Sequence, residues 1–395
     1  MVIIKNAART IIFLVVTVML CGCAGKPEAP AGRLEGETAP VFNVYQILPK
    51  EVVKGSNYRI SRKVTVEEYQ YVFEVASDFG KFDAHGRDML DLRLRELKAI
   101  EEAEKLSSDP HFVNGVLAPL KDTGKGLEIF VDEPLESIGR IPKGFGLMAA
   151  QYLDPADKRA GSYERRKLAV ELECDPETRN PVLKKLLDDM ALQLGGGSLI
   201  TRAGMFFVPG LSLLPMTAQM KDTIVTNPPS EINKKIDKEL ETAGVEKSVR
   251  TRFCKSESFT TMQRLQLMDQ FRALEGVENR ISLIEAAAQA HTEAEALSCI
   301  RVGKMLVDIQ IRRLIKRLEF IGLSLAILKD GRNVLISPYD YVTYTLEVAD
   351  CLNGYRESNP NVRTVFVTAG GVSPSARETI EGVGMRIVEE GATDW

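Results

Sequence analysis

Histidine is close to absent from this chain of 395 residues: there are three, at positions 85, 111 and 291, and none beyond. A serine nucleophile after residue 291 therefore lacks its usual base unless the fold returns one from upstream. His291 and Glu295 stand four apart on one helical face, but two further ligands are missing, so a solvated pair is expected rather than a metal site. His111 likewise has no converging partners and reads as a surface or capping residue. Cysteine is sparse as well. Cys174, Cys254, Cys299 and Cys351 lie 80, 45 and 52 residues apart, which excludes a disulfide-dense scaffold and zinc spacing and leaves either pairs or free thiols open. Charge of one sign is lacking too: 51 basic against 55 acidic residues give no electrostatic footprint for nucleic acid. Cofactor motifs are missing. Gly195-Gly196-Gly197 before Ser198 has neither the lysine nor the terminal serine or threonine of a phosphate loop, and Asp78-Phe79-Gly80 has no kinase elements around it and reads as a turn. No cofactor and no metal is expected.

What is present begins at the N-terminus. Lys5 and Arg9 precede Ile11 to Leu20, a run that is apolar except for Thr17, and small residues follow at once. That is the pattern of an export signal, and the run is too short for a comfortable membrane span. Its end, Leu20-Cys21-Gly22-Cys23, resembles the lipobox of bacterial lipoproteins. The resemblance implies that residues 1–22 are a leader removed with Cys21, and that Cys23 is acylated and becomes the first residue of the mature chain. Several acyl chains make a stable anchor where one alone is marginal. Ala24 follows, not Asp, and among lipoproteins of this kind that implies the outer membrane rather than the inner. Residues 23–40, including "KPEAPAGRLEGETAP", carry proline, glycine and charge without periodicity and read as a flexible tether.

The body divides by pattern into an α+β chain: a small N-terminal antiparallel sheet, a large mainly helical middle and a small C-terminal α/β domain. Residues 41–106 hold the period-two runs "VFNVYQIL", "YRISRKVTV", "YQYVFEVAS" and "KFDAH", the last two joined at Asp78-Phe79-Gly80, and then a helix from Arg87 to Leu106. Residues 107–320 are a helical body with glycine-rich apolar segments. Helices are expected at Tyr163 to Leu172, at Pro181 to Leu194 behind an Asn180 cap, at Ser230 to Gly244 and at Thr260 to Leu274. Val277 to Phe320 reads as one long helix or two joined near Gly303, carrying a basic stretch from Arg301 through Lys304, Arg312, Arg313 and Lys316 to Arg317. Ser198 to Met220 is read either as core or as a membrane-contacting segment.

Residues 321–395 show a β-α-β-α-β succession, which implies a small, mostly parallel sheet. "LSLAILKDGRNVLIS" is a hairpin, "YDYVTYTLEVADCLNGY" a helix stopped at Gly354, "RTVFVTAG" a buried strand, Ser375 to Gly382 a helix opened by a Ser375/Glu378 capping box, and "MRIVEE" a last strand. Ligands of such sheets favour the carboxyl ends of the strands. Ser337, Tyr339, Asp340, Thr368, Gly370, Gly371, Ser373 and Ser375 fall there. The weak catalytic candidates are Asp340, Ser373 and Ser375; Gly370 and Gly371, with the amides opening the following helix, are the weak anion-site candidates. Each also has a structural reading as turn, strand end or cap.

Through Ser77-Asp78-Phe79-Gly80, Asn180-Pro181-Val182-Leu183 and Val372-Ser373-Pro374-Ser375-Ala376-Arg377 the body resembles bacterial envelope proteins of unassigned activity. The resemblance implies that the parts belong together and carries no catalytic residue. Two functions stand open. One is an envelope lipoprotein, bound to the membrane through acylated Cys23, that binds or scaffolds another envelope component. The other is an anchored hydrolase or transferase using the C-terminal crevice, which requires Asp340 and Ser373 or Ser375 to meet across it.

Overall fold

The computed structural model describes residues 37–106, 162–194, 216–312, 314–321 and 323–389. The leader, Cys23, all but the end of the tether, His111 and most of the glycine-rich apolar segments lie outside them. The fold is α+β, with a small antiparallel sheet first, a mainly helical middle and a mixed α/β unit last. No described helix is long and apolar enough to cross a membrane.

Strands β1 (Phe42–Asn43), β2 (Tyr58–Glu67), β3 (Gln70–Ser77) and β4 (Gly80–His85) pair antiparallel in chain order. The β3–β4 reversal falls on Asp78 and Phe79, with Ser77 and Gly80 as its closing pair. β1 is shorter than the alternation predicts. Val44–Gln46 forms a 3-10 turn instead, because Asn43 caps it and the Gln46 side chain answers by accepting from the Asn43 N–H at 2.8 Å. Between β1 and β2 comes a single helical turn, α1 (Lys50–Val53). Helix α2 (Arg87–Leu106) fills its predicted range and buries Leu90, Leu94, Leu97 and Ile100 in the core that holds Phe73 and Val75. Each such leucine contributes on the order of 2 kcal/mol by leaving water.

The middle is built from α3 (Tyr163–Glu171), α4 (Pro181–Leu194), α5 (Ala218–Thr226), α6 (Pro229–Thr242), α7 (Lys247–Lys255), α8 (Thr261–Ala273), α9 (Ser282–Ala287) and α10 (Glu293–Arg312). The sequence pattern does not anticipate α5 or α7. Buried charge ties these helices together. Arg165 of α3 is fully buried 3.2 Å from Asp188 of α4, and Arg166 donates to the Ile224 carbonyl of α5 at 2.8 Å. Met216 and Met220, at the described end of the second apolar segment, are buried.

Asn180 caps α4 as expected, its Oδ1 accepting from Val182 and Leu183 N–H at 3.0 and 3.2 Å. Asn180→Ala is expected to lower stability by about 1 kcal/mol, measured as a shift in the urea midpoint at unchanged slope.

The stretch from Val277 to Phe320 is not the long helix predicted. It is α9, a break, α10 and a strand, β5 (Ile315–Phe320). The break lies before Thr292, whose side chain accepts from Glu295 N–H at 3.2 Å, and not at Gly303, which is inside α10. Gly303 instead leaves room for a neighbour: a Cβ there would come within 2.0 Å of Gln270 Oε1 on α8, so that side chain lies across the glycine. The basic stretch is also divided. Arg301 is buried, while Lys316 and Arg317 stand exposed on β5.

The last unit adds β6 (Ser324–Leu328), β7 (Asn333–Ser337), β8 (Tyr341–Val342), α11 (Leu346–Ser358), β9 (Thr364–Thr368), β10 (Gly371–Val372), α12 (Pro374–Gly382) and β11 (Arg386–Glu389). The main sheet runs β11-β9-β7-β6-β5, parallel among the first three and antiparallel among the rest, so it is mixed rather than mostly parallel. Two helix boundaries differ from expectation. Residues 339–345 form a loop and the two-residue strand β8, and α11 starts behind a Thr345 cap and runs through Gly354. Ser337 ends β7 and does not start a helix. Strand alternation then divides the core: Val334, Ile336, Val365 and Val367 join the main core, while Leu335, Phe366, Leu352 and Ile380 form a second one under α11 and α12.

Candidate functional site

The carboxyl ends of β7 and β9 lie beside the small parallel pair β8–β10, where Gly371 and Tyr341 are opposite each other. Gly370 is forced by this approach: a Cβ there would sit 1.9 Å from the Asp340 carbonyl oxygen. Gly371 N–H donates to that same carbonyl at 3.0 Å. Both glycines therefore close a backbone contact within the chain.

Asp340 is fully buried, and its carboxylate is bound from two other parts of the molecule. Oδ2 accepts from the Arg87 N–H at 2.8 Å and the Tyr71 N–H at 3.4 Å; Oδ1 faces Arg301 Nη1 at 3.0 Å and Arg87 Nε at 3.6 Å. Arg301 Nε in turn lies 3.4 Å from Asp88. One carboxylate thus joins the start of α2, the middle of α10 and the C-terminal unit. Tyr71, beneath the Arg87 guanidinium at 5.4 Å, has its hydroxyl pKa pushed up to about 12 by burial, against the pull of that cation.

Ser373 and Ser375 do not meet Asp340 among these contacts. Ser373, not Ser375, caps α12: with Pro374 preset at the first helical position, Ser373 Oγ accepts from the Ala376 N–H at 3.1 Å. The Ser373 hydroxyl donates to Glu37 Oε2 at 2.5 Å, and the Tyr344 N–H reaches the same oxygen at 3.2 Å. An anion does lie at the opening of α12, and it is the chain's own Glu37 carboxylate. Ser375 is exposed, and its carbonyl accepts from the Thr379 hydroxyl at 2.9 Å. Deeper in, Ser337 Oγ is buried with no hydrogen-bond partner among the described residues, beside a 30 Å³ apolar cavity lined by Tyr69, Tyr339, Cys351 and Phe366. Burial lifts the Tyr339 hydroxyl to about 12 and raises the Cys351 thiol.

A second polar cluster has no signature in the sequence. Arg93 of α2 bridges Glu96, at 3.0 Å, and Glu293 of α10, at 2.9 Å. Glu96 also accepts from Thr178 Oγ1 at 2.5 Å and Asn180 Nδ2 at 3.3 Å. Beside it Asp175 accepts from Thr260 Oγ1 at 2.5 Å and the Glu177 N–H at 2.8 Å. Of these residues Glu96 and Asp175 border a 30 Å³ cavity together with Cys174, Met262 and Gln263, enough room for about one or two waters. Burial, helped by the Glu177 charge, lifts the Asp175 carboxyl to about 7, and burial also raises Glu96. Burial, with the nearby Asp175 and Glu96 charges, holds the Cys174 thiol well above the ordinary thiol range.

The remaining sequence candidates are placed elsewhere. His291 N–H donates to Glu295 Oε2 at 2.7 Å, so that carboxylate serves the helix start. Among the described residues no group of three or more histidine, cysteine, aspartate or glutamate side chains is arranged to hold a metal. Cys174, Cys254, Cys299 and Cys351 are free thiols. No family model, curated protein or solved structure matches the chain, so the reading of these sites rests on their own geometry.

Proposed function

We propose that this chain is a bacterial envelope lipoprotein, anchored through acyl groups on Cys23 to the outer membrane, whose body binds or scaffolds another envelope component. The anchor rests on Lys5, Arg9, the apolar run and Leu20-Cys21-Gly22-Cys23. The observation that carries the reading of the body is Asp340: the carboxylate best placed for chemistry in the crevice is committed to Arg301, Arg87 and two backbone N–H groups. A joint of that kind fixes three segments as one rigid body, which suits presenting a surface. Crosslinking and pull-down of the native protein from intact envelopes tests it. The expected result is a reproducible envelope partner; a purified body that retains a small molecule and crosslinks to nothing overturns it.

The alternative, an anchored hydrolase or transferase, is favoured by one observation: the buried Ser337 hydroxyl at the carboxyl end of β7, which has no hydrogen-bond partner among the described residues. A fluorophosphonate probe that labels wild-type protein but not Ser337→Ala is the outcome that reading requires.

A further inference from the structure

The described chain begins where Glu37 is bound twice over. Its carboxylate receives the Ser373 hydroxyl and the Tyr344 N–H, and its own N–H donates back to the Tyr344 carbonyl at 3.2 Å. The end of the tether is thereby pinned to the C-terminal unit, at the mouth of the crevice. From that pin the chain runs through Val41 and Tyr45, two large apolar side chains that are 60% and 47% exposed.

The stretch that follows is basic although the chain as a whole is acidic. Between residues 41 and 67 there are five cations, Lys50, Lys54, Arg59, Arg62 and Lys63, against Glu51 and Glu67. All five cations are exposed, and no ion pair to any of them is found among the described residues. Lys63 is opposite Asn43 across β1–β2, which sets it beside the Val41–Tyr45 segment. Lys54 and Arg59 lie directly opposite each other in an isolated antiparallel bridge. Like charges so placed repel, and an anionic surface laid across them relieves the cost. Exposed apolar groups beside an exposed cation, in a stretch rich in exposed cations, are the composition of a segment that lies on anionic lipid, with tyrosine suited to the headgroup level.

We propose that Glu37 latches the tether to the mouth of the C-terminal unit, so that the bilayer holding the chain meets the body on its Val41–Tyr45 face. The inference rests on the lipoprotein reading for the anchor, while the basic face stands independently of it. Thirteen residues, 24 to 36, separate the acylated position from the latch. Releasing Glu37 frees the chain as far as β1, adding roughly 17 Å of reach at about 3.4 Å per residue.

The chain has one tryptophan, Trp395, so a reporter is simple to install. In a Trp395→Phe background, Tyr45→Trp and Ser358→Trp place the fluorophore on the proposed face and on the exposed far end of α11. Each acylated protein is reconstituted in phosphatidylethanolamine–phosphatidylglycerol vesicles with brominated acyl chains. The reporter at 45 is expected to lose most of its emission and the one at 358 to keep it. Adding Glu37→Ala is expected to reduce that contrast with the melting curve unchanged. Equal quenching at both positions, or quenching only at 358, overturns the proposal. The Cys23→Ala protein separates this inference from the anchor: salt-sensitive binding to the same vesicles with quenching at 45 supports the face even if the native chain carries no lipid. Firm acyl anchoring with no quenching at 45 overturns the face and leaves the anchor standing.

Discussion

Asp340→Ala is expected to lower the free energy of unfolding by about 3–5 kcal/mol, the range for breaking a buried ion pair from one side. The loss has little to do with the Coulomb energy of the pair. With the carboxylate gone, buried Arg301 loses its 3.0 Å ion pair while keeping its charge, and the Arg87 and Tyr71 N–H groups lose their acceptor. Adding Arg301→Met removes the buried cation that faced the carboxylate, so the double variant is expected to recover part of the loss. Urea unfolding of the wild-type, single and double variants measures this. Equal stability of wild-type and Asp340→Ala would show that the three segments are not joined at this carboxylate. A whole domain commands only about 5–15 kcal/mol, so a loss of the expected size also lowers the yield of folded protein.

Asp175 gives the second large effect, and it depends on pH. Its folded-state pKa of about 7 stands above the ordinary 3.8, so the folded chain holds this proton more tightly than the unfolded chain. The stability it contributes is fully present below pH 3.8 and is lost as pH rises to about 7. Asp175→Asn cannot ionise; its amide oxygen still accepts from the Glu177 N–H, and its NH2 group donates to the Thr260 hydroxyl oxygen in place of accepting from it. Relative to wild-type, the variant is expected to gain stability from pH 5 to pH 8, by on the order of 3 kcal/mol at most. Urea midpoints at the two pH values read the difference. A constant offset between the proteins contradicts the buried, neutral carboxyl.

Local rules made much of the fold legible. The 3.6-residue stripe of α2 and the Asn180-Pro181 start of α4 are self-contained signals, and both helices occupy the predicted ranges. Local rules failed where distant structure rewrote the period. In β5 a register irregularity between Ile315 and Arg317 leaves Ile315 and Leu318 both buried, a spacing of three that imitates a helix. The break before α10 had a usable signal in Thr292-Glu293-Ala294-Glu295, overshadowed by the helix-favouring alanines before it. Pro374 likewise pointed to Ser373 as the cap.

The candidate site was legible in position and not in role. Strand order placed Asp340, Gly370 and Ser373 at one end of the sheet. Their partners come from 39 residues away for Arg301, 253 for Arg87 and 336 for Glu37, and no sequence pattern registers such pairs. The Glu96–Asp175 cluster is hidden for the same reason, its groups being drawn from α2, the segment before α4, and the starts of α8 and α10.

The proposed lipid anchor turns on one atom, the sulfur of Cys23. Labelled fatty acid fed to cells producing wild-type protein or Cys23→Ala tests it directly. Incorporation into the wild-type chain and none into the variant is the expected result. Undiminished labelling of Cys23→Ala, or no labelling of either chain, contradicts a lipid anchor at this position.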